Sequence, residues 1–323
     1  MNNKQIYKAT LCFSTRRLLW DILAFLVLAG VAAIGFFVAD ATIHRGLIGL
    51  GIGALVGLIV LIFFLRWISY KYKAGQIAMM TRAVTEGSLP DNVLEEGKAI
   101  VKSRFRTVAA FFAVTSVIKG IFNQIGRGLT EAGKAIGGDT GSTVGSAVSS
   151  VIQVIVSYLC DCCLGWVFYR SKEKSAKATC EGAVLFFKHG KTLAKNLGRV
   201  FGIGLASLVV IGGAFTGIFY LIASQFPQVF SSLFNSIRDV AIRNNGTIPS
   251  WLSDPTILTI AISAIAGLIV WDIIHSAFIR PFTLVGVLRN YIQSGINDIP
   301  TEEAFAVLDG KSAKFKKLHQ EAA

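Results

Sequence analysis

The chain contains runs of apolar residues too long for an ordinary soluble core. Val144–Tyr169 carries one charged residue, Asp161, and stops at the basic block Arg170–Lys177. Leu18–Ala39 and Leu47–Leu65 are similar runs. About 20 consecutive apolar residues in a helix match the hydrocarbon thickness of a bilayer. In a membrane every backbone N–H and C=O must be paired within the protein, which leaves helices or closed barrels. The expectation is an all-α integral membrane bundle.

Only 16% of the 323 residues are charged and 53% are hydrophobic, against roughly 25% charged in soluble domains. The pattern predicts about six spans, near 18–39, 47–65, 105–122, 144–169, 200–223 and 257–276. They are preceded by a basic arm, 1–17, and the polytopic region 18–295 is followed by a basic tail, 296–323. Asp40–Gly46 is short enough to force the first two spans into an antiparallel hairpin. Gly46, Gly49, Gly53 and Gly57 share one face of the second, which permits close approach of its neighbour.

Between spans, Gln76–Glu86 and Asn92–Arg104 read as amphipathic cytoplasmic helices. Gly87 and Pro90 stop the first, and Asp91 caps the second. Thr301 is expected to cap a short helix in the tail. The glycine-rich stretch Gly120–Gly145 reads as an extracytoplasmic loop, with a re-entrant element as the alternative. Phe226–Val240 has the spacing of an interfacial helix. A weak internal repeat pairs Ala54–Val60 with Ala264–Val270.

Charge placement orients the chain. The pieces 1–17, 66–106, 170–199 and 277–323 hold 26 of the 32 Lys and Arg. That bias puts both termini in the cytoplasm of a plasma-membrane protein. The net charge of +13 then faces anionic lipid headgroups. No nucleic-acid motif accompanies it. The five cysteines lie in or beside cytoplasmic segments, which argues against disulfides. The first apolar run is too long for a signal-peptide core.

Ionisable residues inside spans mark function by default. Asp161, Asp272 and His275 are the candidates for a transport site. The two carboxylates lie at similar depth before Arg170 and Arg280, and His275 shares a helix face with Asp272. The plainer alternative pairs each carboxylate with the nearby arginine. Lys119 reads as a snorkelling residue. Cys160, Cys162 and Cys163 lack the ligand geometry of a zinc site, His189 has no phosphate-loop context, and Asn245–Thr247 is a bare glycosylation sequon. No cofactor, metal site or catalytic motif is expected.

The cysteine-containing span end, the Cys180–Lys191 connection and Lys195-Asn196…Arg199-Val200 leading into a glycine-rich span resemble the C-terminal membrane region of choline transporter-like proteins. Leu288-Arg289-Asn290 adds to the likeness, which covers under a third of the chain. The sequence lacks that family's large cysteine-rich extracellular loop, so the resemblance implies a helical membrane region rather than choline as substrate. As a whole, the chain resembles uncharacterised polytopic membrane proteins of anaerobic Gram-positive bacteria.

The leading expectation is passage of a small solute or cation across the plasma membrane. The alternative is a non-catalytic scaffold or assembly factor that binds anionic lipid or partner proteins through its basic loops. The small-residue faces permit a homo-oligomer. A transport site predicts a wet cavity; a scaffold predicts the same ionisable residues paired and dry.

Overall fold

A computed structural model describes residues 1–43, 46–137, 142–228 and 254–322, with residues 231, 234, 235 and 238 between. Every regular element among the described residues is helical. The chain divides into two compact units, Met1–Phe201 with Pro281–Ala323, and Gly202–Arg280.

The first unit opens with α1 (Asn3–Ala9), whose start is closed by a reciprocal capping box between Asn2 and Gln5. Then come α2 (Leu11–Ile43) and α3 (Gly46–Ile68). They form the expected antiparallel hairpin, and glycine lets the two backbones touch. A Cβ on Gly53 would meet the Val31 carbonyl oxygen at 2.6 Å, and one on Gly57 would meet Leu28 Cδ1 at 2.8 Å. Gly35 and Gly49 approach each other still more closely.

A π-turn, Ser69–Lys73, carries α3 directly into α4 (Ala74–Glu86), so the expected loop is continuous helix. Gly87, at φ 76°, ends α4 in the left-handed region where a Cβ would be strained. The cap of α5 (Val93–Arg104) is Asn92 rather than Asp91: its side chain accepts from the Glu95 amide at 3.4 Å.

The glycine-rich region differs most from expectation. It is helix, not loop, over most of its length: α6 spans Val108–Gly137 and α7 spans Ser142–Tyr169. Glycine costs a helix only about 1 kcal/mol per residue relative to alanine, too little to enforce a loop. The basic piece 170–199 is mostly helix, because α8 runs over Ser175–Ser207.

The tail does not hang free. α11 (Arg280–Asn297) is followed by α12 (Glu302–Asp309) and α13 (Ala313–Ala322). Thr301 stands at the N-cap of α12, but its side chain makes no capping bond. Phe315 is fully buried, in a cluster with Ile118, Phe122, Leu159, Cys180, Phe305 and Leu308. Ser312 Oγ donates to Gln124 Oε1 at 2.5 Å. The main core of this unit centres on Trp166 of α7, with Ile77, Phe105, Leu288 and Tyr291.

In the second unit, a π-turn at Leu208–Gly212 leads into α9 (Gly213–Ala223). α10 (Pro255–Ile274) starts at Asp254, which accepts from the Thr256 amide at 2.8 Å, and runs into a π-turn at His275–Ile279. α9 and α10 pack closely: a Cβ on Gly267 would meet the Thr216 backbone nitrogen at 2.7 Å. The expected interfacial helix at Phe226–Val240 falls largely outside the described residues, and the 245–247 sequon wholly so.

Among the described residues, four helical runs are long and apolar enough to cross a membrane: Leu11–Thr42, Ile48–Glu86, Gly198–Ala223 and Thr256–Asn297. A fifth is added if Val93–Arg104 and Ala109–Gln124, bent by 81°, are one broken span. The expectation was six. Protein buries only 6–17% of the apolar window in each of the four, which leaves Leu, Ile, Val and Phe side chains facing outward. Two of the six expected spans look different. In α7, residues 161–168 are all buried by protein. α6 turns Phe111, Ile118, Ile121 and Phe122 inward and leaves Ala109, Ala110, Ala113, Ser116 and Lys119 exposed.

Candidate functional site

Asp161 lies in the first unit, on the buried helix α7, with its side chain 5% exposed. It does not pair with Arg170. Lys73, the last residue of the π-turn before α4, reaches it with Nζ–Oδ1 at 2.7 Å. The same π-turn ties down its surroundings, since Tyr70 donates its hydroxyl to the Phe105 carbonyl at 3.0 Å. π-turns recur where a helix must aim a side chain out of its regular register. A carboxylate in a packed core needs a cation and further hydrogen bonds to offset its desolvation, and Lys73 supplies the charge.

Arg170 is engaged elsewhere. Its guanidinium forks onto Glu181, with Nε–Oε2 at 2.9 Å and a second nitrogen 3.1 Å from Oε1. Glu181 is 2% exposed and also accepts from Trp166 Nε1 at 3.0 Å. The hydrogen bond that Arg170 donates to Glu181 holds the guanidinium above its usual pKa, with burial opposing. Arg104 clamps the same corner by donating to the carbonyls of Ser171, Glu173 and Arg170 at 3.1, 2.7 and 3.2 Å. Burial lowers its pKa against a smaller contribution from Glu173. Lys73 and Glu181 were not singled out from the sequence. The only available signal was a charge set among otherwise apolar or small neighbours, which is common to many surface positions.

Asp272 and His275 belong to the second unit. Asp272 is exposed on α10, and His275, at the start of the π-turn, is half-buried. The ring of Trp271 lies against that of His275, with centroids 5.0 Å apart and planes at 31°. Trp271 Nε1 donates to Ser207 Oγ at 3.1 Å, and Ser207 donates onward to the Gly204 carbonyl at 2.7 Å. Ser207 immediately precedes the other π-turn of this unit. The three residues expected to form one site are thus placed as Asp161 in one unit and Asp272 with His275 in the other.

The cysteines are free thiols. Cys180 sits in the cluster that receives Phe315. Burial, followed by the nearby carboxylates of Asp309, Glu181 and Glu302, pushes it up to about 12, so it stays protonated and unreactive. Among the described residues no three of His, Cys, Asp and Glu gather in a way that could hold a metal. Lys119 is exposed, and the side chain of His189 lies outside the described residues.

These features define an all-α protein whose long apolar helices are suited to a membrane. No family model, curated protein or solved structure matches the chain.

Proposed function

We propose that this chain is a membrane-anchored helical platform, a scaffold or assembly factor, rather than a path for solute through Asp161. The observation that carries this reading is the Lys73–Asp161 pair, 2.7 Å apart and packed beside the Trp166 core. A transport site needs a carboxylate that meets water and exchanges partners. A carboxylate held by its own cation in a packed core instead fixes the register of α7 against the π-turn.

The accompanying topology has four crossings, made by the four long exposed apolar helices. Residues 66–199 then stay on one side, together with both termini. Only Arg45, Arg238 and Arg243, of 32 Lys and Arg, fall on the other side, a stronger inside bias than six crossings give. Ser116 and Lys119 on the exposed face of α6 support this placement, because they would face lipid in a spanning helix. The side holding the termini is the cytoplasmic one, and the membrane is the plasma membrane.

The test is chemical labelling from each side of sealed vesicles. Ser116→Cys and Asn123→Cys, in a Cys12→Ser background, should react with a membrane-impermeant maleimide only from the side of the N-terminus. Labelling of Asn123→Cys from the opposite side would restore the six-span layout. Flux is tested separately in proteoliposomes, where the platform reading expects no proton, sodium or potassium leak above protein-free vesicles.

Passage of a small solute or cation is the second reading, now confined to the second unit. Two π-turns and the Ser207–Trp271–His275 polar line in an otherwise apolar helical pair favour it. A flux lost in both Asp272→Asn and His275→Gln would establish it over the platform.

A further inference from the structure

The end of the first hairpin nearest the N-terminus carries an aromatic cluster. Trp20 packs edge-on against Phe64 at 5.4 Å and Trp67 at 6.0 Å, and its indole donates to Tyr72 Oη at 3.2 Å. Trp67 is 37% exposed beside Leu19, Leu23 and Phe63, which also face outward. Indoles in this position settle at the headgroup level of a bilayer. Cations surround the cluster. Lys71 Nζ lies 4.8 Å from the Trp67 ring centroid, and Lys98 Nζ lies 5.7 Å from that of Tyr72. Arg16 is exposed one helical turn before Trp20.

The nearby carboxylates have cations of their own. Glu95 is bound by Lys98 at 2.6 Å, Glu96 by Arg82 at 3.1 Å, and Asp21 by Arg17 at 3.5 Å. Lys98 holds Glu95 below the usual carboxylate range, and the charges of Lys71 and Arg16 reach it as well. The patch therefore gathers more cations than carboxylates beside the indoles.

We propose that Arg16 and Lys71, set beside Trp20 and Trp67, form a headgroup-level site for an anionic phospholipid of the leaflet on the N-terminal side. The indoles fix the depth, and the guanidinium and ammonium groups donate to phosphate oxygens. The site rests on the first hairpin crossing the bilayer, which four-span and six-span layouts share. It therefore stands or falls separately from the platform role and its labelling test.

The experiment compares thermal unfolding of the full-length protein in phosphatidylcholine nanodiscs with and without phosphatidylglycerol. Wild type is run beside Arg16→Gln/Lys71→Gln and a charge-matched control, Lys316→Gln/Lys317→Gln. Binding to the folded state raises the melting temperature. Phosphatidylglycerol should raise that of wild type and control by a few degrees, and the Arg16/Lys71 variant should lose most of the rise. If the double variant does not fold, Lys71→Gln alone carries the comparison. An equal rise in the variant, or no rise in wild type, overturns the site. A wild-type rise reproduced by inorganic phosphate in plain phosphatidylcholine overturns the lipid assignment in favour of a free anion.

Discussion

Lys73 Nζ stands 2.7 Å from Asp161 Oδ1, joining the π-turn at the end of α3 to the buried part of α7. Asp161 is 5% exposed and Lys73 27%, so removing either partner affects the other unequally. Lys73→Met should be the more damaging change, because it takes a cation away from a carboxylate that water hardly reaches. Asp161→Asn should cost less, since Lys73 has a path to water. Lys73→Met/Asp161→Leu should be milder than Lys73→Met alone. Chemical or thermal unfolding of the three variants in detergent checks the order; equal losses for both single variants would mean the pair is not the controlling interaction.

The hairpin of α2 and α3 makes a sharper comparison. Gly49 faces the backbone of Gly35, whereas a Cβ on Gly51, half a turn away, would meet nothing within 4 Å. Gly49→Ala should push the helices apart and lower the melting temperature. Gly51→Ala should be neutral or stabilising by up to about 1 kcal/mol, the usual helical gain of alanine over glycine. Parallel melts of the two variants decide the matter.

Phe315 anchors the C-terminal helix α13 to α6, α7 and α8. Truncating a buried phenylalanine to alanine costs about 3–5 kcal/mol. Here the loss should appear as release of a terminal segment rather than global unfolding. Limited trypsin digestion should cut Phe315→Ala rapidly at Lys314, Lys316 or Lys317 while the rest of the chain resists; wild type should be cut there far more slowly.

His319 gives this docked tail a pH dependence. Its Nδ1 lies 3.0 Å from Asp309 Oδ2 and its Nε2 lies 3.1 Å from Glu302 Oε2. Burial opposes the charged ring, but the hydrogen bonds to Asp309 and Glu302 outweigh it and raise the pKa. A raised folded pKa stabilises docking fully below the unfolded value, about 6.5, and this contribution fades as pH rises through the folded value. Tail protection from trypsin should therefore be greater at about pH 6 than at about pH 8, after correction for the pH dependence of trypsin itself. His319→Gln should remove the difference. Glu302 is 76% exposed, so Asp309→Asn should blunt it more than Glu302→Gln.

Local chemistry made much of this architecture legible in the sequence. Gly46, Gly49, Gly53 and Gly57 mark the face on which α3 meets α2, because spacing alone puts them together and only glycine allows the approach. Gly87 and Pro90 mark the end of α4 for an equally local reason. What periodicity could not separate was lipid from protein as the surroundings of an apolar helix. Leu18–Ala39 and Val144–Tyr169 have much the same composition, yet the first faces outward and the second carries residues 161–168 buried under α4, α8 and α11. Both satisfy the same requirement, removal of apolar surface from water.

The partners of charged residues belong to the fold for a related reason. Arg170 is near Asp161 along the chain, but the packing of α8 brings it Glu181 instead, and a π-turn brings Asp161 the more distant Lys73. A coulombic pair depends on separation in space, which the sequence encodes only through the whole core. The sequence by itself thus determined an all-helical chain with membrane-length apolar helices and a positively charged side. Tertiary structure decided which apolar helices are covered by protein and which charges are already neutralised, because both follow from contacts between segments far apart in the chain.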